Sequence, residues 1–246
     1  MKNLVYILLF LTQVVGAQSF DKGNALFRKG DYKGAVKEYE GILAKKQESA
    51  EVYFNLGNAY YKLNNVAPAV YNYEKALQLN PGNKDIAVNL AFAQKMVLDD
   101  IKAVPKVGFS NALYKVAGNY HYNTWAWVAV SFSVLVLLFF TGYYFAGRTV
   151  LKRIFFVGMF VAIFGIVVSS VAATFVKSEQ SAENPAIIFA EVISVKAEPA
   201  ADAADAFVLH AGTKVNVMET LENWKKIKLP DDSVGWVDKS VLKEIK

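Results

Sequence analysis

Apolar and polar residues follow four different patterns along this chain. From Leu4 to about Leu11 the sequence is apolar behind Lys2. From Gln18 to about Lys102, charges interleave with apolar residues at helical spacing, which predicts packed amphipathic helices. Trp125–Gly147 and Ile154–Val176 are uncharged runs of 23 residues each. From Ala186 to Lys246, short apolar stretches alternate with turn residues, the pattern of a small all-β domain.

The two uncharged runs organise the rest. At about 1.5 Å per residue each makes a helix of roughly 34 Å, enough to cross a hydrocarbon core of about 30 Å. Between them lies the short basic link Arg148–Arg153, with Arg148, Lys152 and Arg153. Such a link is expected on the cytoplasmic side, which puts both flanks on the exported side. Trp125 and Trp127 at one end, with Tyr143 and Tyr144 at the other, read as interfacial belts. Met1–Ala17 agrees: a basic start, a short apolar core, and Val15 and Ala17 at the −3 and −1 positions of a cleavage site. That core is too short to span, so a signal peptide fits better than an uncleaved anchor. Neither span holds an ionisable residue, which argues against a transporter or proton path. Gly165, Ser169 and Ala173, with Gly158 and Ala162, place small residues at four-residue steps, either to pack the two spans together or to receive a partner's span.

In the helical region, Gly23 returns as Gly57, Ala35 as Ala69 and Tyr39 as Tyr73, each 34 residues later. The second copy carries Tyr53, Leu56, Gly57 and Tyr60, then Ala69, Tyr73 and Ala76, and closes at Pro81. Gly57 and Ala69 are small where paired helices approach, and a third helix is expected over Asn83–Ile101 with Ile86, Leu90, Ala93 and Val97 on one face. Residues 18–102 therefore resemble the tetratricopeptide family, two repeats and a capping helix. The resemblance implies a concave peptide-binding face, where Asn24 and Arg28, then Asn55, Asn58 and Lys62, then Asn89 stand off the packing stripe. Carboxamides there suit the backbone of an extended peptide, and Arg28 or Lys62 suits a carboxylate. A solvated polar face is the alternative for the same residues. Residues 103–124 follow as a membrane-proximal segment, with Phe109, Leu113, Val116 and Tyr120 on one helical face, expected at the interface.

After a polar linker over 177–185, strands are expected at Ile187–Val195, Phe207–Leu209, Lys214–Glu219, Trp224–Leu229 and Val234–Val237. Val195 with Pro199, the run from Leu209 to Val215, Asn223–Ile227 and Gly235-Trp236-Val237 resemble the bacterial SH3 (SH3b) family. That likeness implies a small barrel with Trp224 and Trp236 as groove candidates. Core packing is the reading favoured for Trp236. Asp231-Asp232-Ser233 replaces the usual Asp-Gly turn, so a looser hairpin is expected there.

Composition narrows the function. Net charge is +5, yet acids and bases alternate, and no basic face points to nucleic acid. With no cysteine, packing alone must hold any exported domain, and thiol chemistry is excluded. The two histidines, His121 and His210, fall in separate segments, so neither a metal centre nor a Ser/His/Asp set is expected, and no cofactor. The fold class expected is a multidomain membrane protein: an all-α repeat solenoid, a two-helix transmembrane hairpin and a small all-β barrel. This order of parts resembles the BatE family of the bacterial aerotolerance operon. That resemblance implies a non-enzymatic inner-membrane scaffold, partnered with Bat proteins carrying von Willebrand A-type domains and indirectly with a MoxR-type ATPase. Peptidoglycan is the alternative ligand, through the barrel.

Overall fold

The computed structural model describes residues 19–102, 104 and 108–245. The expected signal peptide, residues 1–17, lies outside the described residues. The chain forms two compact units. One is discontinuous, built from the residues before Lys106 and those from Asn184 onward; the other is residues 106–183.

The discontinuous unit begins with five helices: α1 (19–28), α2 (Tyr32–Leu43), α3 (Ala50–Lys62), α4 (Val66–Leu79) and α5 (Lys84–Gln94). Side-chain oxygens start three of them. Asp31 accepts from the Gly34 N–H, Ser49 from Val52, and Asn83 from Asp85 and Ile86. The helices pack through the 34-residue pattern. A Cβ on Gly23 would lie 2.6 Å from the Tyr39 ring, and one on Gly57 2.8 Å from the Tyr73 ring. Each glycine is therefore the seat of the aromatic that follows it on the next helix. Ala35 and Ala69 are fully buried at the same contacts. The capping helix is shorter than expected, ending at Gln94 instead of Ile101. Its last apolar partner, Val97, sits beyond the helix in a turn and packs against the same core, beside Gly212.

The second part of this unit is a seven-stranded antiparallel sheet: β1 (Pro185–Ile188), β2 (Val192–Lys196), β3 (Asp205–His210), β4 (Lys214–Leu221), β5 (Trp224–Lys228), β6 (Val234–Asp238) and β7 (Leu242–Glu244), in the order β3-β2-β6-β5-β4-β1-β7. Two details differ from the five strands expected. Ile187–Val195 is two strands, broken over Phe189–Glu191, and β7 is an added strand behind a 3₁₀ turn at Lys239–Val241. Alternation sends Val215 and Val217 of β4, Ile227 of β5 and Val237 of β6 into one core with Val195 and Leu209. The Asp231–Ser233 hairpin is closed, not loose. Asp232 takes φ 70° in the place of glycine, the Ser233 N–H bonds the Asp231 carboxylate, and Lys228 pairs with Asp232 at 2.6 Å.

β1 is buried on both faces. Ala186 and Ile188 enter the barrel core, while Ile187, between them, joins the helical core with Ile245. The barrel is thus packed against α4 and the turn after α5. Gly212 permits a close approach, with φ +93° and a hypothetical Cβ 2.8 Å from Val66 and 2.9 Å from Val97. Only glycine meets both demands there. Phe189 stacks edge-on against Tyr71, Lys243 lies 4.4 Å over the same Tyr71 ring, and Lys214 pairs with Glu74 at 2.7 Å.

The other unit holds α6 (Phe109–Ala117), α7 (Tyr122–Phe145) and α8 (Thr149–Ala182). Where an interfacial segment over 103–124 was expected, a nine-residue helix stands, and the Trp125 indole N–H bonds the Ala117 carbonyl at 3.0 Å to tie it to α7. α7 and α8 are long and apolar enough to cross a membrane, and α8 extends to Ala182, so that most of the expected linker is helix. None of the α7 side chains is fully buried. The small residues of α8 serve the hairpin itself. A Cβ on Gly165 would meet the Phe132 ring at 2.8 Å, and one on Gly158 would meet Phe139 at 3.1 Å. On α7, Gly142 likewise seats Phe155 at 2.9 Å. The three pairs share one antiparallel register, since the residue numbers in each add to the same total. Ala162 and Ser169 are buried in the same seam, and the Ser169 hydroxyl is spent on the Gly165 carbonyl.

Candidate binding surfaces

The first helices of the repeats, α1, α3 and α5, bring the predicted asparagines into a ladder. Asn24 Oδ1 accepts from the Tyr39 hydroxyl at 2.7 Å and from Asn55 Nδ2 at 2.9 Å. One repeat later, Asn58 Oδ1 accepts from the Tyr73 hydroxyl at 2.7 Å and from Asn89 Nδ2 at 2.8 Å. Each rung joins two first helices and the second helix between them. Two internal donors already fill the Oδ1 of Asn24 and of Asn58, so only the amide side of these two carboxamides is open to a ligand. Among the described residues, what stays unspent is the Nδ2 group of Asn24 and Asn58 and the Oδ1 of Asn55 and Asn89. Each rung therefore keeps a free amide donor group and a free carbonyl acceptor, the complement of a peptide group.

The tyrosines act as fixed donors. Burial pushes the Tyr39 hydroxyl up to about 12, against a small opposing effect of the Arg28 charge. Tyr73 is raised as well, by burial and then by Tyr61. Both keep their protons at neutral pH, so both rungs stay assembled. Sequence reasoning treated these rings as packing knobs and missed the hydroxyls, although their recurrence 15 residues after each asparagine was the available signal.

Asn24, Phe27, Arg28, Tyr39, Asn55 and Asn58 line an open depression of ≈ 200 Å³ over the first rung. Arg28 is exposed at its edge, apolar Phe27 forms part of its wall, and Asn89 braces the second rung. Lys62 is exposed at the end of α3 and does not line the depression. The structure thus brings together four of the six predicted residues, Asn24, Arg28, Asn55 and Asn58.

On the barrel, Trp224 lines a second depression of ≈ 240 Å³ with Ile193, Ser194, Lys196, Val237, Asp238 and Val241. Its polar edge is already engaged. Lys196 pairs with Asp205 at 2.7 Å, and Asp238 accepts from the Ser240 N–H and hydroxyl. Those Ser240 bonds hold the exposed Asp238 carboxyl below the ordinary range. Trp236 is not in the core, contrary to the favoured expectation. Gly235 and Val237 are buried on either side of it, so its own side chain alternates outward, half-buried, with Lys226 5.7 Å over the ring.

One polar cluster had no sequence signal. Asp99, in the turn after α5, accepts from the His210 N–H at 2.7 Å and the Thr213 hydroxyl at 2.5 Å through one oxygen. Its other oxygen meets His210 Nδ1 at 2.6 Å. Burial works to raise this carboxyl, but the bonds from Thr213 and His210 outweigh it and hold Asp99 below the usual carboxylate range. The ring of His210 is therefore a fastening between repeats and barrel.

Comparison with known families agrees with these shapes. Residues 50–83 match the family described as Tetratricopeptide repeat, residues 23–64 match the family described as TPR repeat, and residues 191–243 match the Bacterial SH3 domain. The chain joins tetratricopeptide repeats, two long apolar helices and an SH3-type bacterial barrel.

Proposed function

We propose that this protein is a non-enzymatic adaptor of a bacterial inner membrane that grips extended segments of partner proteins along the asparagine ladder. The observation that carries the reading is the unspent donor and acceptor on each rung, repeated at the pitch of the solenoid. An extended peptide offers one N–H and one C=O per residue and meets that demand without a specific side chain. Arg28 adds a cation at one end of the groove. The discontinuous unit supports a two-pass arrangement. Chain segments before α7 and after α8 pack together, which requires an even number of crossings between them. With Arg148, Lys152 and Arg153 on the cytoplasmic side, repeats and barrel are exported.

The order of parts, similar to BatE proteins, supports a Bat-type aerotolerance complex as the setting, with von Willebrand A-type membrane partners and a MoxR-type ATPase acting indirectly. Asn58→Ala removes an acceptor shared by Tyr73 and Asn89 and a donor to the peptide. Polar groups left unpaired cost about 1–3 kcal/mol, so partner affinity should fall roughly five- to 150-fold. The measurement is recovery of a von Willebrand A-type partner with the full chain from solubilised membranes, alongside Arg28→Ala. Unchanged recovery in both variants would refute the groove. The depression beside Trp224 favours a second reading, in which the barrel holds a cell-wall peptide. Loss of binding to isolated sacculi on Trp224→Ala would support that reading instead.

A further inference from the structure

The solenoid ends on a helix with two apolar faces. α5 follows α3 residue by residue, 34 positions on: Ile86, Leu90 and Ala93 repeat Val52, Leu56 and Ala59 and are buried in the same way. On α3 the other face is also covered. Tyr53 and Gly57 are buried there, the Tyr73 ring of α4 rests on Gly57, and Phe54 lies 6.0 Å from that ring. The corresponding residues of α5 are Ala87, Ala91 and Val88, and all three are exposed, Val88 by 52 %. Phe92, one turn from Val88, is 50 % exposed. The surface that receives the second helix of a repeat is present on α5, and among the described residues no second helix fills it.

We infer that this open face of α5 docks an acidic amphipathic helix from a partner protein, which completes a third repeat in trans. The preceding repeat supplies the template, since α4 seated on α3 shows what such a face accepts, and α5 continues that stack. Two differences define the occupant. Ala91 replaces Gly57, so a tyrosine cannot come as close, and an aliphatic side chain fits at that point. Lys84 and Lys95 lie along the middle of the open face at its two ends, and both are exposed, with Lys95 5.2 Å over the Phe92 ring. Their charges select acidic neighbours on the incoming helix. They also disfavour a second copy of α5, because an antiparallel pair would set Lys84 against Lys95 twice. This surface is separate from the asparagine ladder and does not depend on it.

The test uses the full chain in lipid nanodiscs and a fluorescent peptide as the probe. The peptide copies α4, Val66–Leu79, with leucine in place of Tyr73 and glutamate in place of Lys75. Binding is followed by anisotropy for the native chain and for Val88→Asp, Phe92→Asp, Lys95→Glu and Arg28→Ala. Val88 and Phe92 are half-exposed, so their variants should fold, and circular dichroism checks this. The expected result is a loss of more than tenfold for Val88→Asp and Phe92→Asp, a smaller, salt-sensitive loss for Lys95→Glu, and none for Arg28→Ala. Equal affinity across all five proteins would overturn the inference. So would a dimer of the native chain in sedimentation that Phe92→Asp dissolves, because the occupant would then be a second copy.

Discussion

Replacing Asp99 tests the joint between repeats and barrel most directly. Its carboxylate takes three hydrogen bonds from the barrel, and its side chain is only 11 % exposed. Asp99→Ala leaves the His210 N–H and the Thr213 hydroxyl without a partner, and Thr213 is only 4 % exposed. A buried donor left unpaired costs about 1–3 kcal/mol. Two are orphaned here and water reaches part of the site, so the expected loss is about 3 kcal/mol. Hydrogen exchange of the full chain in detergent reads it out: the His210 amide should exchange roughly 150-fold faster at neutral pH. The acid arm fixes the sign. Asp99 is held below its ordinary value in the folded state, so its stabilisation is complete above about pH 4 and is lost as pH falls through the folded value. The stability gap between the native chain and Asp99→Asn, read as a urea midpoint, should therefore narrow from pH 6 to pH 3. Unchanged exchange at His210, or a gap that widens in acid, would refute this account of the joint.

Other outcomes follow from the packing. Gly212→Val should lower the melting temperature of the full chain by weakening the joint, since the new side chain meets Val66 and Val97 and the backbone sits at φ +93°; overpacking alone costs about 1–3 kcal/mol. Gly165→Leu should loosen the hairpin by displacing the Phe132 ring, seen as faster proteolysis near Arg148 in detergent, while the circular dichroism of the repeats stays the same. Tyr39, raised to about 12, contributes stability that is complete below pH 10 and is lost as pH rises through 12. Tyr39→Phe should flatten that alkaline loss in a thermal scan between pH 9 and pH 12, and an unaltered profile would place the titration elsewhere.

Periodicity made the solenoid and the spans legible, because each repeats over a distance the eye can follow. Gly23, Gly57 and the two tyrosines announced the helix pairs, and the absence of charge announced α7 and α8. Where residues far apart in sequence decide the structure, the reading failed. Asp99 and His210 are 111 residues apart, and neither carries a local pattern that names the other. Val97 was apolar at the right spacing to extend α5, yet its partner is Gly212, so the helix stops three residues earlier. β1 looked continuous with β2 because Ile187 is apolar like its neighbours, but it faces the helices while they face the barrel. The neighbours Gly235 and Val237 suggest a core place for Trp236, yet their own inward alternation is what sends it outward. At the candidate groove the six residues were found from their offset to the packing stripe. Which of their atoms remain available depended on hydroxyls that the same pattern had assigned to packing.

The body formed by repeats and barrel is written in two pieces, and the hairpin is the text inserted between them. The ribosome delivers the repeats long before Ile187 and Ile245 exist, so the helical core must wait, incomplete on one side, until α8 has been threaded. On the proposed two-pass arrangement, synthesis order makes insertion of α7 and α8 a checkpoint for maturation of the discontinuous unit. The same division suggests a reagent. A flexible polar connection in place of residues 106–183 would leave every contact of the joint intact and release the whole body into water, where its partners can be sought without detergent.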